Sequence, residues 1–268
     1  MSLTKKQVNQ PGCIHKALGV KVFHTVDLVL IARGAGYDTL FIDLEHSQAS
    51  LESASHLCKV AKLAGILPLV RVPDDSGDDV IQRVLDGGAK GVIFPHICNA
   101  GDVKKIVQSV KYAPMGTRSL SPSLLPNGGL GMSRDKVARV LEQNEVSAIA
   151  MIENTMALDN LDEIAAVPGL DMMLIGSMDM TFDLGFLGQW DNPLYQKDLK
   201  DVSAAAQRHG KLWGISGLFG SPEDFADPIE KLGVNLNVGA IDRALLLKGA
   251  KENVDVMRSF GNNTLAKN

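Results

Sequence analysis

Cysteine is scarce in this chain. Cys13, Cys58 and Cys98 are the three present in 268 residues, too few for a disulfide framework and without metal-ligand spacing. A reducing cytosol fits, with each thiol at the surface or buried as a small hydrophobe. No cluster of Lys and Arg is present, and the formal net charge is −4, so nothing calls for nucleic acid or an anionic membrane as partner. The apolar runs break well short of the roughly 18 residues a membrane helix needs. The opening MSLTKKQVNQPG is polar and lacks the apolar core of a signal peptide. No G-x-G-x-x-G follows the first apolar run and no Walker sequence occurs, which removes the usual nucleotide-binding signals.

Alternation, by contrast, is abundant. Hydrophobic residues make up 45% of the chain, enough for a sizeable core, and they fall into short, often β-branched runs separated by stretches with helical spacing. The runs read as strands are 17–20, 39–45, 67–72, 91–97, 148–153, 171–176, 212–216 and 235–239. Between them lie helical candidates such as TVDLVLIARGAG, LESASHLCKVAKLAG, SGDDVIQRVLDGG and SPEDFADPIEKLG, each closing on the Gly that suits a helix C-terminus. The runs lack strict polar alternation, as parallel strands covered on both faces should. Eight βα units in roughly 250 residues make a single (β/α)8 TIM barrel the expected fold, with a doubly wound sheet as the alternative. No domain boundary or longer repeat is evident, so residues 1–268 read as one barrel domain with polar tails. One stretch breaks the pattern: Ala113 to Asp135 is rich in Gly, Pro and Ser and has the length of a lid or binding loop.

In a barrel the chemistry sits at the C-terminal ends of the strands. Those ends carry Asp43, Glu45 and His46 after the second run, Arg71 after the third, His96 after the fourth, Glu153 after the fifth, and Ser177-Met178-Asp179 after the sixth. Each has a structural use when taken singly: a core histidine, an ion pair under the rim, a helix cap. Taken together they are hard to attribute to stability, because buried charges without partners are expensive. Glu153 and Asp179 can hold a hard divalent cation with waters left in place, an Arg nearby stabilises an anionic oxygen, and a His titrating near neutrality is the usual general base. Metal, Arg and His together suggest proton abstraction or carbon–carbon cleavage beside a carbonyl.

The segments FIDLEHS, LVRVP, RVLDGGAKGVIFP, AIAMIENTMALDNLDEIAAVPGLD and LIGSMDMTFDLG resemble the HpcH/HpaI aldolases, class II metal-dependent pyruvate aldolases of the phosphoenolpyruvate/pyruvate barrel superfamily. The resemblance runs over about residues 17 to 250. Phe94-Pro95-His96 and Arg118-Ser119-Leu120-Ser121-Pro122 are similar to the branch of that family containing macrophomate synthase. The resemblance implies metal ligands at Glu153 and Asp179, with Mg²⁺ or Mn²⁺ foremost and Co²⁺ or Zn²⁺ also suited. It implies a pyruvate carboxylate held around Ser177, Met178 and Asp179, an enolate oxygen stabilised by Arg71, and an acid/base at His46 tuned by Asp86. His96 and Arg118 would read a second substrate. Asp43 and Glu45 would orient water or backbone around the site, with the strand turning at His46. The implied reaction is cleavage of a 4-hydroxy-2-oxoacid to pyruvate and an aldehyde, with oxaloacetate decarboxylation alongside. The alternatives are a biosynthetic enzyme joining an oxaloacetate-derived enolate to a larger acceptor, and a barrel that binds a 2-oxoacid without turning it over. Family members are homo-oligomers, several of them hexamers that exchange a C-terminal helix. The sequence departs from the family at Ser177-Met178, where Pro-Ala is usual, and in GQWDNPLY (188–195), which has no evident place in the pattern.

Overall fold

The computed structural model describes residues 14–121, 133, 135, 146–217 and 231–260. Eight parallel strands close into a barrel in sequence order: β1 His15–Val20, β2 Thr39–Asp43, β3 Leu67–Arg71, β4 Gly91–Phe94, β5 Ser147–Ile152, β6 Leu170–Gly176, β7 Leu212–Ser216 and β8 Leu236–Ile241. The (β/α)8 expectation is met, and the open doubly wound sheet is excluded by the pairing of β1 with β8. The described helices are α1 Val26–Ala35, α2 Leu51–Leu63, α3 Asp78–Asp86, α4 Ala100–Val110, α5 Thr155–Asp159, α6 Leu161–Ala166, α7 Ser177–Asp183, α8 Pro193–Arg208 and α9 Asp242–Ser259. Among them none is long and apolar enough to cross a membrane. Residues 221–230 of the helical candidate at 221–233 and most of the Ala113–Asp135 loop lie outside the described residues.

Strand alternation divides the core in two. Inward side chains fill the barrel: Phe41, Leu69, Ile93, Ile149, Met151, Met172, Leu174 and Val238 pack as one cluster. The outward side chains join the helices in a second, larger cluster. The same period carried one step further up each strand places the site. After Phe41 the next inward position is Asp43, after Leu69 it is Arg71, after Met151 it is Glu153, and after Leu174 it is Gly176. A polar layer therefore caps an apolar barrel without any change of periodicity.

Two strands end two or three residues earlier than the apolar runs suggest. β2 stops at Asp43 rather than Glu45, and the chain turns before His46, because the Asp43 carboxylate accepts the Glu45 and His46 amides at 3.0 and 3.2 Å. That local competition of an Asp side chain with the ladder is the usual way such a residue starts a turn. β4 stops at Phe94; Pro95 has no N–H for the ladder, and His96 takes a positive φ of 55°. At the barrel's closure Asp242, the first residue of α9, is buried and collects the amides of Lys21, Val22 and Phe23 on one oxygen at 2.8–3.1 Å. This ties the end of β8 to the end of β1 and fixes where Lys21 emerges. Beyond Asp242, α9 buries nothing further: Leu246, Val256 and Met257 are all more than half exposed.

Candidate active site

The polar layer is organised by Arg71. Its guanidinium meets Asp43 through two parallel hydrogen bonds, Nε to Oδ1 at 3.0 Å and NH2 to Oδ2 at 2.6 Å, the fork geometry that suits Arg and not Lys. NH1 lies 2.8 Å from Glu45 Oε2 as an ion pair, and the guanidinium rests over the Phe41 ring at 5.5 Å. Lys21 adds a second cation 3.1 Å from Asp43 Oδ2. Sequence reasoning missed Lys21; its position after β1 was the signal available. Burial pushes the Asp43 carboxyl up, but the Arg71 hydrogen bonds with the charges of Arg71 and Lys21 outweigh it and hold the group down at about 2.

His96 bridges two carboxylates. Its Nε2 is 3.2 Å from Glu45 Oε1 and its Nδ1 is 3.3 Å from Glu153 Oε1, while its main-chain N–H donates to the same Glu153 oxygen at 2.7 Å. Glu153 is buried, and its other oxygen, Oε2, has no hydrogen-bond partner among the described residues. That oxygen sits against Gly176, where an added Cβ would come within 2.6 Å of it, so only glycine leaves the space. Burial raises the Glu153 carboxyl, the Asp179 charge adds to the rise, and the His96 amide and ring and Arg71 oppose it.

A cavity of about 90 Å³ opens at this end of the barrel, lined by Lys21, His46, Arg71, Gly176, Met178 and Asp179 among others. The exposed His46 ring lies on its rim; its Nε2 is 3.8 Å from Glu45 Oε2, too far for a hydrogen bond. α7 opens the opposite wall with no side-chain cap on its first turn, which leaves amides to meet an anion. Ser177 also lines the cavity; it is buried, and its hydroxyl accepts from Tyr195 at 2.7 Å, which braces α7. Tyr195 comes from GQWDNPLY: Asn192 caps α8 with Pro193 following, and the Trp190 ring packs against Tyr195 at 5.9 Å. The stretch with no place in the sequence pattern thus holds the start of α7.

Two expected residues are elsewhere. Asp86 is the last residue of α3, and a helix that returns antiparallel to the strands ends at the bottom of the barrel. Arg118 follows α4 and its amide bonds to the Lys111 carbonyl, also at the bottom. There Arg118 NH2 donates to Asp86 Oδ1 at 3.1 Å, over the Tyr112 ring at 4.6 Å. The expected tuning of His46 by Asp86, and a role for Arg118 beside the cavity, are therefore not formed within this chain. His46, Arg71, His96, Glu153, Met178 and Asp179 do meet at the top, with Asp43 and Glu45 bonded beneath them.

Fold and site together define a (β/α)8 barrel with a layer of titratable side chains around a cavity at its C-terminal end. Residues 24–235 match the HpcH/HpaI aldolase/citrate lyase family model. The chain is 38% identical to 4-hydroxy-4-methyl-2-oxoglutarate aldolase tasA of Hapsidospora irregularis over 241 residues, 90% of this chain and 89% of that one. It is similar to the crystal structure of an HpcH/HpaI aldolase from Desulfitobacterium hafniense DCB-2, with a TM-score of 0.86, 28% identity and 98% of each chain covered. Macrophomate synthase shares the fold at a TM-score of 0.79 and 22% identity, over 96% of this chain and 90% of that one. The chain belongs to the HpcH/HpaI aldolase/citrate lyase family. It is a carbon–carbon lyase of the aldolase type.

The depressed Asp43 carboxyl gives a pH prediction. A folded value of about 2 lies below the unfolded one near 3.9, so its contribution is fully present above about pH 4 and is lost as pH falls toward 2. Asp43→Asn should remove about 2 kcal/mol of pH-dependent stability in that window and flatten the acid limb. Urea midpoints measured from pH 5 to pH 2 check this, and parallel acid limbs for the two proteins would contradict it.

Proposed function

We propose that the enzyme cleaves 4-hydroxy-2-oxoacids through a pyruvate enolate, with 4-hydroxy-4-methyl-2-oxoglutarate, the substrate named for the fungal relative, as the foremost candidate and oxaloacetate as a second. One observation carries this reading above the others: Glu153 Oε2, buried and without a hydrogen-bond partner among the described residues, in the same top layer as Asp179. Among the described residues four carboxylates, Asp43, Glu45, Glu153 and Asp179, share the layer with two fixed cations, Lys21 and Arg71. An excess of negative charge around a bare carboxylate oxygen fits a divalent cation held by Glu153 and Asp179, with Mg²⁺ or Mn²⁺ best matched to oxygen ligands. When bound, such a cation supplies Lewis-acid polarisation of the 2-oxo group.

The side chains account for the rest. The 2-oxoacid carboxylate lies at the first turn of α7, beside Met178. His46 on the rim takes the proton of the 4-hydroxyl. The bond between C3 and C4 then breaks, the carbonyl product leaves with the oxygen, and the electron pair remains on C3 and the 2-oxo oxygen as an enolate. Arg71, rigid because Asp43 and Glu45 hold it, faces that oxygen with positive charge where it develops. Returning the proton to C3 gives pyruvate. From the methylated dicarboxylate the two products are both pyruvate; from oxaloacetate carbon dioxide leaves instead and no hydroxyl proton is needed. A joining reaction with a larger acceptor uses the same enolate. The rival of a barrel that only binds does not explain a buried carboxylate oxygen left bare.

Cys58 and Cys98 are free thiols, which fits a reducing cytosol. The exposed apolar side chains of α9 and of α1, where Leu30 and Ile31 are uncovered, fit a homo-oligomer, a hexamer by the family resemblance, with α9 resting on a neighbour.

Two measurements check these readings. Pyruvate release from 4-hydroxy-4-methyl-2-oxoglutarate and from oxaloacetate should vanish on chelation and return with Mg²⁺ or Mn²⁺. Glu153→Ala, Asp179→Ala and Arg71→Ala should each lose on the order of 10³-fold in turnover, and an unchanged rate in any of them would remove that residue from the site. In light scattering, Leu246→Asp with Met257→Asp should give a smaller particle than the parent; an unchanged mass would contradict the oligomer reading.

A further inference from the structure

Resting on the reading of Glu153 as a metal ligand, we propose that His96 is a positioning residue that acts through its main chain: its N–H pins Glu153 Oε1 and so reserves Oε2 for the cation. The geometry behind this is unusual in one respect. His96 has φ 55°, a region most L-residues avoid, which glycine tolerates best and which asparagine, aspartate and histidine enter more readily than alanine or glutamine. Strain of that kind persists only where surrounding contacts over-determine it. Here the over-determination is visible. The His96 ring is held between Glu45 Oε1 at 3.2 Å and Glu153 Oε1 at 3.3 Å, and Pro95 before it removes the ladder bond that would draw the chain straight.

The consequence falls on one carboxylate. The N–H at 2.7 Å from Oε1 holds the Glu153 carboxylate against rotation, with Oε2 buried against Gly176, the residue before α7. The ring contact to Oε1 is the longer of the two. The division of labour follows: the ring holds the strained backbone, and the backbone holds the ligand. Glu45 enters the same chain of contacts, since its other oxygen is paired to Arg71, so one strained residue sets the metal ligand and the enolate-facing Arg in a common frame.

Removing the ring separates the two roles, because alanine and glycine both lack it but differ in their tolerance of positive φ. On the full-length protein, stripped of metal and without substrate, Mn²⁺ binding is measured by titration calorimetry. His96→Gly keeps the N–H in place and should bind within about threefold of the parent, whereas His96→Ala should relax out of the strained region and bind about tenfold more weakly, as expected for a lost charge-assisted hydrogen bond. Where either variant folds poorly by thermal unfolding, His96→Asn against His96→Gln repeats the contrast with polar side chains. Equal loss in the tolerant and intolerant variants would assign the role to the ring and overturn the proposal, as would no loss in either. Glu153→Ala included in the same series separates the premise: if it binds Mn²⁺ as the parent does, the ligand reading itself fails and takes the proposal with it.

Discussion

The two parallel hydrogen bonds between Arg71 and Asp43 are the constraint on which the rest of the site depends. Both groups are buried at the top of an apolar barrel, where an unpaired charge would cost several kcal/mol. Pairing removes that cost and also fixes geometry. Asp43 uses its remaining capacity to turn the chain after β2, which delivers Glu45 back to Arg71 and leaves His46 on the rim. Glu45 reaches His96, and His96 reaches Glu153. A line of polar contacts thus runs from Lys21 on β1's end through Asp43, Arg71, Glu45 and His96 to Glu153 at the fifth strand's end, and each member restricts the next.

Such a line lowers the reorganisation needed when negative charge appears on a bound oxygen. Arg71 cannot swing away, because three of its contacts are to carboxylates bound into the layer. The other wall is held differently: α7 is braced by Tyr195 through Ser177, a hydroxyl pair at the position where the resemblance leads one to expect proline. Bracing by a hydrogen bond from α8 does by contact what proline does by ring closure, and it explains why a serine is acceptable there.

The eight strands and the barrel were legible because parallel strands buried on both faces leave unbroken apolar runs, and because inward positions continue at period two into Asp43, Arg71 and Glu153. What stayed hidden was set by contacts distant in sequence or by backbone that no pattern marks. Apolar content through Leu44 and Ile97 overstated β2 and β4, since the Asp43 carboxylate and the turn at Pro95-His96 end the ladders. Asp86 and Arg118 were placed by resemblance near the cavity, whereas the direction of α3 and α4 puts them at the far end of the barrel in this chain. Tyr195 carried no local signal and Lys21 only its position after β1, because their importance lies in an aspartate and a serine some twenty residues away.

The central claim is that this layer forms an enolate of a bound 2-oxoacid. Exchange of the pyruvate methyl protons with solvent deuterium, followed by proton NMR with Mg²⁺ and no acceptor, reports that step alone. The account predicts methyl exchange that depends on both enzyme and Mg²⁺ and is lost in Glu153→Ala. Exchange no faster than in buffer, from protein that binds pyruvate and Mg²⁺, would contradict it.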